Sequence, residues 1–437
     1  MYYKILNNHS MLQIIATFCI WLYLCIPFVS MVFERYKIIE VATTLLCMLL
    51  LFLTLCISKN ARLKLPGTFL LLILFYVYVL VNNNISISNG SGLIWFVQFF
   101  CTIIFVLIVL SYSNQYWTNT TLSVISFFGL LYSFATIIFW LIPSLYEIVY
   151  PFLRSMSSSQ ITEAGYKSGL TIHYSTNGMY IALGFLASGC LALDRKNKRW
   201  CYAAIICLLA LVLTSKRAHL AFGLAAFGVS YLIYNSNKKV SSFGKLLLVS
   251  VSAVVALYII SFVNADILDV FARFGEMSKD DTMNGRSGFY ALCIDMFRAN
   301  QLTGQGWGSY TVYFNQTVDG ARYVADGFKT MNAHNVFLQV LAEEGLIGFV
   351  LLFGTLFAVL FITIFQLFKL NHLLSSCHNV VLNNCRTLLA ASAGFQLFFL
   401  MYCCTGNPLY DMQMYIPFIF ALGIKCSVSY QLKTPTI

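Results

Sequence analysis

The chain has 437 residues, 59% of them apolar or aromatic and only 10% charged, with a net charge of +11 and a mean hydropathy of +0.78. That balance excludes an ordinary soluble enzyme, a disordered chain and a disulfide scaffold. At about 20 apolar residues per crossing there is room for about a dozen membrane helices, and the apolar runs are too long for the alternating, roughly ten-residue strands of a barrel.

Apolar runs bounded by charge or by Asn, Ser and Gly clusters predict spans at 11–33, 38–57, 66–82, 93–112, 121–142, 176–193, 200–214, 218–234, 246–263, 336–368, 387–404 and 412–428. The expected fold is therefore an all-α polytopic membrane protein of about 12 transmembrane helices. It divides into a nine-helix region with short loops (1–263), one large loop (264–333) and a three-helix region (334–437). The first apolar stretch is too long for a signal-peptide core and is read as span one. Most of the 14 cysteines lie within apolar runs, where a thiol is a small hydrophobe, and the long loop holds only Cys293.

Twelve spans place both termini on one side of the membrane. The short loops on that side carry 12 Lys and Arg, against 6 in the short loops opposite, so the positive-inside rule puts the termini in the cytoplasm. The outer face then collects three segments: 143–173, the tight turn Ser215-Lys216-Arg217, and the loop 264–333. Ten of the 16 acidic residues fall between Asp266 and Glu344, within this loop and the start of the next helix. Structureless loops of this size are rare, which marks it as a lid or catalytic loop. Within it Phe289, Leu292, Cys293, Met296 and Phe297 recur at helical spacing, predicting an amphipathic helix over 286–299 with Asn284-Gly285 as its turn. The Gly304-Gln305-Gly306-Trp307-Gly308 run then permits close backbone approach.

Cations on the outer face need anionic partners. Lys216-Arg217 either snorkels to lipid phosphates or clamps a phosphate or pyrophosphate, for which the guanidinium fork is suited. Arg286 near a helix start either forms an oxyanion site or pairs with Asp280 or Asp281; that acidic pair has no metal-site spacing. Asn335 is an N-cap candidate, which puts His334 where the long loop enters the tenth span, either as an interface residue or, with a pKa near 6.5, as a base. Gly345 and Gly348 let another helix approach closely, and Glu343-Glu344 must be paired or hydrated inside a span. Because the basic residues are scattered between apolar runs, the net charge points to a phospholipid surface or an anionic lipid substrate and not to nucleic acid.

The pattern His334-Asn335, nine residues, Gly345, two residues, Gly348 resembles the signature of the O-antigen ligase and O-antigen polymerase superfamily, which includes bacterial O-linked oligosaccharyltransferases. Ser215-Lys216-Arg217-Ala218 resembles that family's short turn with an essential Arg, and Gly285-Arg286 with the Gly304–Gly308 run resembles the opening of its large periplasmic loop. The resemblance covers residues 165–370 closely; the N-terminal third matches only as apolar spans. It implies a GT-C-like glycosyltransferase of the bacterial inner membrane, needing no metal or cofactor, that takes an undecaprenyl-diphosphate-linked glycan on the periplasmic side and inverts the anomeric carbon. Arg217 and Arg286 would neutralise the leaving diphosphate, and His334 would take the proton of the acceptor hydroxyl. Lys216 and Asn335 would contact substrate, while Trp307 and Tyr310 would stack on sugar rings. A polymerase, joining lipid-linked repeats, is the expected activity; a ligase acting on lipid A–core is the alternative, and a chain-length regulator is a possible partner. A lipid-linked oligosaccharide flippase is the rival of another class, but transporters are built from repeats around a midplane site, and no repeat is evident here.

Overall fold

The computed structural model describes residues 11–29, 37–57, 64–82, 91–111, 116–156, 165–194, 198–238, 241, 244, 281–325, 331–376 and 379–433. The expected span 246–263 and the loop residues 264–280 lie outside them. The described residues form helices and no strand: α1 (Met11–Val29), α2 (Lys37–Ile57), α3 (Gly67–Val81), α4 (Ser91–Ser111), α5 (Tyr116–Leu141), α6 (Pro143–Met156), α7 (Tyr174–Ala192), α8 (Arg199–Leu213) and α9 (Arg217–Tyr234). After the undescribed stretch come α10 (Asp281–Ala299), the short α11 (Ser309–Asn315) and α12 (Val318–Ala325), then α13 (Val336–Phe349). A π-helical turn, Val350–Gly354, joins α13 to α14 (Thr355–Ser376), and α15 (Val380–Tyr402) and α16 (Met412–Gln431) follow. Each expected span except 246–263 falls on these helices, 336–368 being covered by α13, the π-helical turn and α14 together. Among the described residues four runs are long and apolar enough to cross a membrane: Trp117–Leu141, Val336–Ser375, Val380–Tyr402 and Met412–Gln431.

The distribution of side chains is that of an integral membrane protein. Leu45, Leu49 and Phe52 on α2, and Phe361 and Phe365 on α14, are exposed, which suits hydrocarbon and not water. Hydroxyls inside the bundle bond back to their own helix, as Thr121 does to the Trp117 carbonyl at 2.8 Å and Thr363 to that of Val359 at 2.7 Å. Polar groups are thereby satisfied without water. At the end of α1, where carbonyls have no helical partner, Tyr180 and Tyr132 donate to the carbonyls of Pro27 and Phe28.

The centre of the bundle is α7, buried from Asn177 through Cys190 and packed against α5, α8, α9 and α15. Gly129 of α5 and Gly184 of α7 touch backbone to backbone, so a Cβ on either would land on the other. This contact draws the chain into a tight frame whose upper ends, the α8–α9 turn and the approaches to α7 and α13, carry the polar residues of interest.

Candidate active site

Two residues other than glycine adopt a left-handed φ among the described residues: Ser215 (54°) and His334 (55°). Each costs about 1–3 kcal/mol, and such strain concentrates at functional sites. Ser215 lies in the turn between α8 and α9. There Thr214 donates to the Leu211 carbonyl at 2.7 Å and accepts from the Lys216 N–H at 3.4 Å. The turn fits closely onto α7 because residue 178 is glycine: a Cβ there would lie 3.2 Å from both Lys216 Cβ and His219 Nδ1. Lys216 lies with its ammonium 5.1 Å from the centre of the Tyr174 ring. Arg217 is the first residue of α9, half-buried, and its Nη1 is buried without a hydrogen-bond partner among the described residues. A guanidinium at a helix N-terminus, beside free N–H groups, is a site for an anion.

Arg286 comes from α10, which begins at Asp281, a turn earlier than the sequence implies, so Asn284-Gly285 lies inside the helix and is not its opening turn. Asp280, and the side chain of Asp281, lie outside the described residues. Phe289, Leu292, Cys293 and Met296 hold α10 against Tyr310, Phe314, Ala333 and Leu338, the face expected from their spacing. The following loop clasps α13. Gln305 N–H donates to the Ala342 carbonyl at 3.0 Å and Gly306 N–H to that of Glu343 at 2.6 Å, while Leu346 and Ile347 N–H donate back to Gln301 and Leu302 at 2.8 and 3.2 Å. This exchange requires Gly345, whose φ of 63° and ψ of −167° break the helix. Its close approach is thus to a loop, not to another helix.

The clasp corrects two expected sugar contacts. Trp307 and Tyr310 are wholly buried: Trp307 packs edge-on against Phe75 and Phe99, each at 6.2 Å, and lies 5.0 Å from the Tyr410 ring, while Tyr310 stacks on Phe314. Neither ring has a face open to a substrate. Glu343 is equally internal and ties two segments to α13, accepting from Tyr410 Oη at 2.7 Å and Tyr310 N–H at 3.2 Å, and within its own helix from Gln339 Nε2 at 3.1 Å. Glu344 accepts from Asn82 Nδ2 of the segment after α3 at 3.2 Å.

At the head of α13, Asn335 is the N-cap, its side chain accepting from Leu338 N–H at 3.2 Å. His334 precedes it and is held by Asn407 from the segment between α15 and α16: His334 N–H donates to Asn407 Oδ1 at 2.9 Å, and Asn407 Nδ2 lies 3.2 Å from His334 Nδ1. Phe289 flanks the ring at 6.3 Å. Burial, then the charges of Arg286 and Lys216 and the neighbouring His173, push His334 down to about 4. The residue expected to be a base near neutrality is therefore a much weaker one. His173, the N-cap of α7, is likewise lowered to about 4 by burial and Lys216. Asp411, the N-cap residue of α16, moves the other way, up to about 7, through loss of solvation.

The structure thus brings Lys216, Arg286 and His334 into one electrostatic neighbourhood with Arg217 beside it, from segments far apart in sequence. Sequence reasoning missed Gly178, His173, Asn407 and Asp411. The Asn407-Pro408 step is a turn signal on the same expected face and offered a route to Asn407; His173 before Tyr174-Ser175-Thr176 offered a weaker capping signal.

Residues 202–353 match the O-antigen ligase family. Over this segment the chain resembles the O-antigen ligase and polymerase superfamily. The matched residues include the α8–α9 turn, α10, the glycine clasp and His334; α7, Asn407 and Asp411 lie outside. A comparison with curated proteins gives no match.

Proposed function

We propose that the protein is a surface-polysaccharide polymerase that moves a glycan from an undecaprenyl-diphosphate carrier onto a lipid-linked repeat unit on the periplasmic side of the inner membrane. The observation that carries this reading is the cationic cluster around His334: Arg286 and Lys216 act on one ring, and Arg217, next to Lys216 in the chain, holds a buried guanidinium nitrogen with no hydrogen-bond partner among the described residues. Concentrated positive charge at the mouth of an apolar bundle suits a lipid-borne diphosphate. Such a donor is already activated, so the protein's part is electrostatic. As the acceptor hydroxyl bonds to the anomeric carbon, the bond between that carbon and the phosphate oxygen breaks, its electron pair leaves with the diphosphate, and the hydroxyl proton passes to the departing diphosphate. Arg217 and Arg286 stabilise the growing phosphate charge, with Lys216 as a further contact, and inversion follows from a single displacement.

The ligase reading is favoured by the description of the matched family; donor and leaving group are the same and only the acceptor differs. The test is a deletion strain complemented with the chain. Single repeats on lipid A–core in the deletion, lengthening on complementation, support the polymerase. Long chains stranded on the carrier in the deletion indicate the ligase, and no change in any glycan rejects both.

A further inference from the structure

We infer that Asn407 is a positioning residue that holds His334 with its ring proton on Nε2, so that His334 serves the transfer as a hydrogen-bond donor and not as the base. This rests on the transfer reaction proposed above.

The His334 backbone N–H is a donor only, and it lies 2.9 Å from the Asn407 side chain, so the atom facing it is the amide oxygen. The other end of that amide is then –NH₂, which only donates. It lies 3.2 Å from His334 Nδ1, so Nδ1 must present its lone pair. In a neutral imidazole with an accepting Nδ1 the proton is on Nε2. No hydrogen bond to Nε2 occurs among the described residues, which leaves that N–H for a substrate oxygen.

Neither nitrogen can then take a proton without loss. Nε2 already carries one. Protonating Nδ1 would set its new N–H against the Asn407 –NH₂ and break the contact. The groups facing the ring oppose protonation too: Arg286 from α10, Lys216 from the α8–α9 turn and His173 at the head of α7. Asp411, on the same segment as Asn407, bears on Tyr402 and not on His334. A left-handed residue tied by both backbone and ring to one amide is built for orientation, and an N–H under the charges of the Arg286 guanidinium and the Lys216 ammonium suits a phosphate oxygen.

Asn407→Asp inverts the arrangement. The carboxylate still accepts from the His334 N–H but now also accepts from Nδ1–H, which moves the proton off Nε2 at neutral pH. Below the raised His334 pKa the imidazolium regains Nε2–H. The variant's kcat should therefore fall roughly tenfold or more at pH 8 and recover toward wild type as pH drops. If His334 were the base, the same variant would free Nε2 and create a carboxylate–histidine pair, equal to or faster than wild type at pH 8 and declining in acid. That profile overturns the inference.

A second measurement needs no activity. Magic-angle-spinning NMR of the full chain in bilayers, with 15N-labelled histidine and the His334 signals identified by their loss in His334→Gln, reads the tautomer directly. Protonated Nε2 with unprotonated Nδ1 supports the inference; the reverse refutes it. If wild type transfers no glycan in vitro while the ring is protonated on Nε2, the proposed reaction fails and the tautomer assignment stands.

Discussion

Replacing Gly345 with alanine probes the clasp that ties the α10–α11 loop to α13. The backbone angles of Gly345, φ 63° and ψ −167°, fall where only glycine enters freely, and a Cβ there costs about 1–3 kcal/mol. That Cβ would also strike the Leu302 carbonyl and the Gly304 amide, so the backbone bonds of 3.0, 2.6, 2.8 and 3.2 Å around it cannot all persist. At about 1 kcal/mol net per bond, losing two to four of them brings the total to roughly 3–7 kcal/mol, comparable with the whole stability of a small domain. Gly288→Ala is the matched control, two residues from Arg286 on α10, with nothing within 4 Å of its Cβ position; alanine there gains about 1 kcal/mol of helix propensity. The readout is the temperature at which purified protein loses its monodisperse peak on size exclusion. Gly345→Ala should lose it far below wild type and Gly288→Ala at or above it. Coincident curves for Gly345→Ala and wild type, with unchanged transfer, would refute the reasoning.

Arg217→Ala and Arg286→Ala should each abolish transfer of a lipid-linked donor by purified protein, and lysine should restore little because the bidentate fork is lost; full activity of either alanine variant removes that residue from the site. His173 is lowered from 6.5 to about 4, so between these values the unfolded chain takes up a proton that the folded chain refuses, and His173 removes stability as pH falls from about 6.5 to about 4. His173→Asn keeps an N-cap side chain and should therefore gain on wild type in thermal stability across that window; a constant difference at all pH values contradicts the burial of His173. Reporter fusions at Lys198 and Gly320 should report opposite sides of the membrane, and agreement between them would defeat the span count.

The helices were legible because uninterrupted apolar runs leave little choice of structure, and the Asn335 cap because its side-chain chemistry is local. The Phe289–Met296 face was legible too, since helical spacing alone selects it. What failed was everything that depends on a distant partner. Trp307 and Tyr310 beside a glycine run read equally as platform or as core, and only the packing of Phe75, Phe99 and Phe314 around them decides for core. Glu343 looks costly in a span until Tyr410 and the Tyr310 N–H are brought to it. The His334 ring carries an ordinary value in isolation, and its change comes from burial and from residues on three other segments. The start of α10 was misplaced because Asn284-Gly285 is a strong turn signal that the helix overrides.

The clasp between 301–306 and 342–347 closes the intervening chain into a ring fastened at its base by four backbone hydrogen bonds, with the Glu343 side chain adding a bond from the Tyr310 N–H. Lengthening such a ring adds only about 0.6 kcal/mol for each doubling of its length, and the fastening makes no demand on the side chains above it beyond those packed at its root. The exposed side chains around Val318–Ala325 can therefore be exchanged while the clasp keeps its place, Gly320 excepted, since a Cβ there would strike the Phe314 carbonyl. Variation in this chain therefore has its outlet there, where it disturbs the fold least.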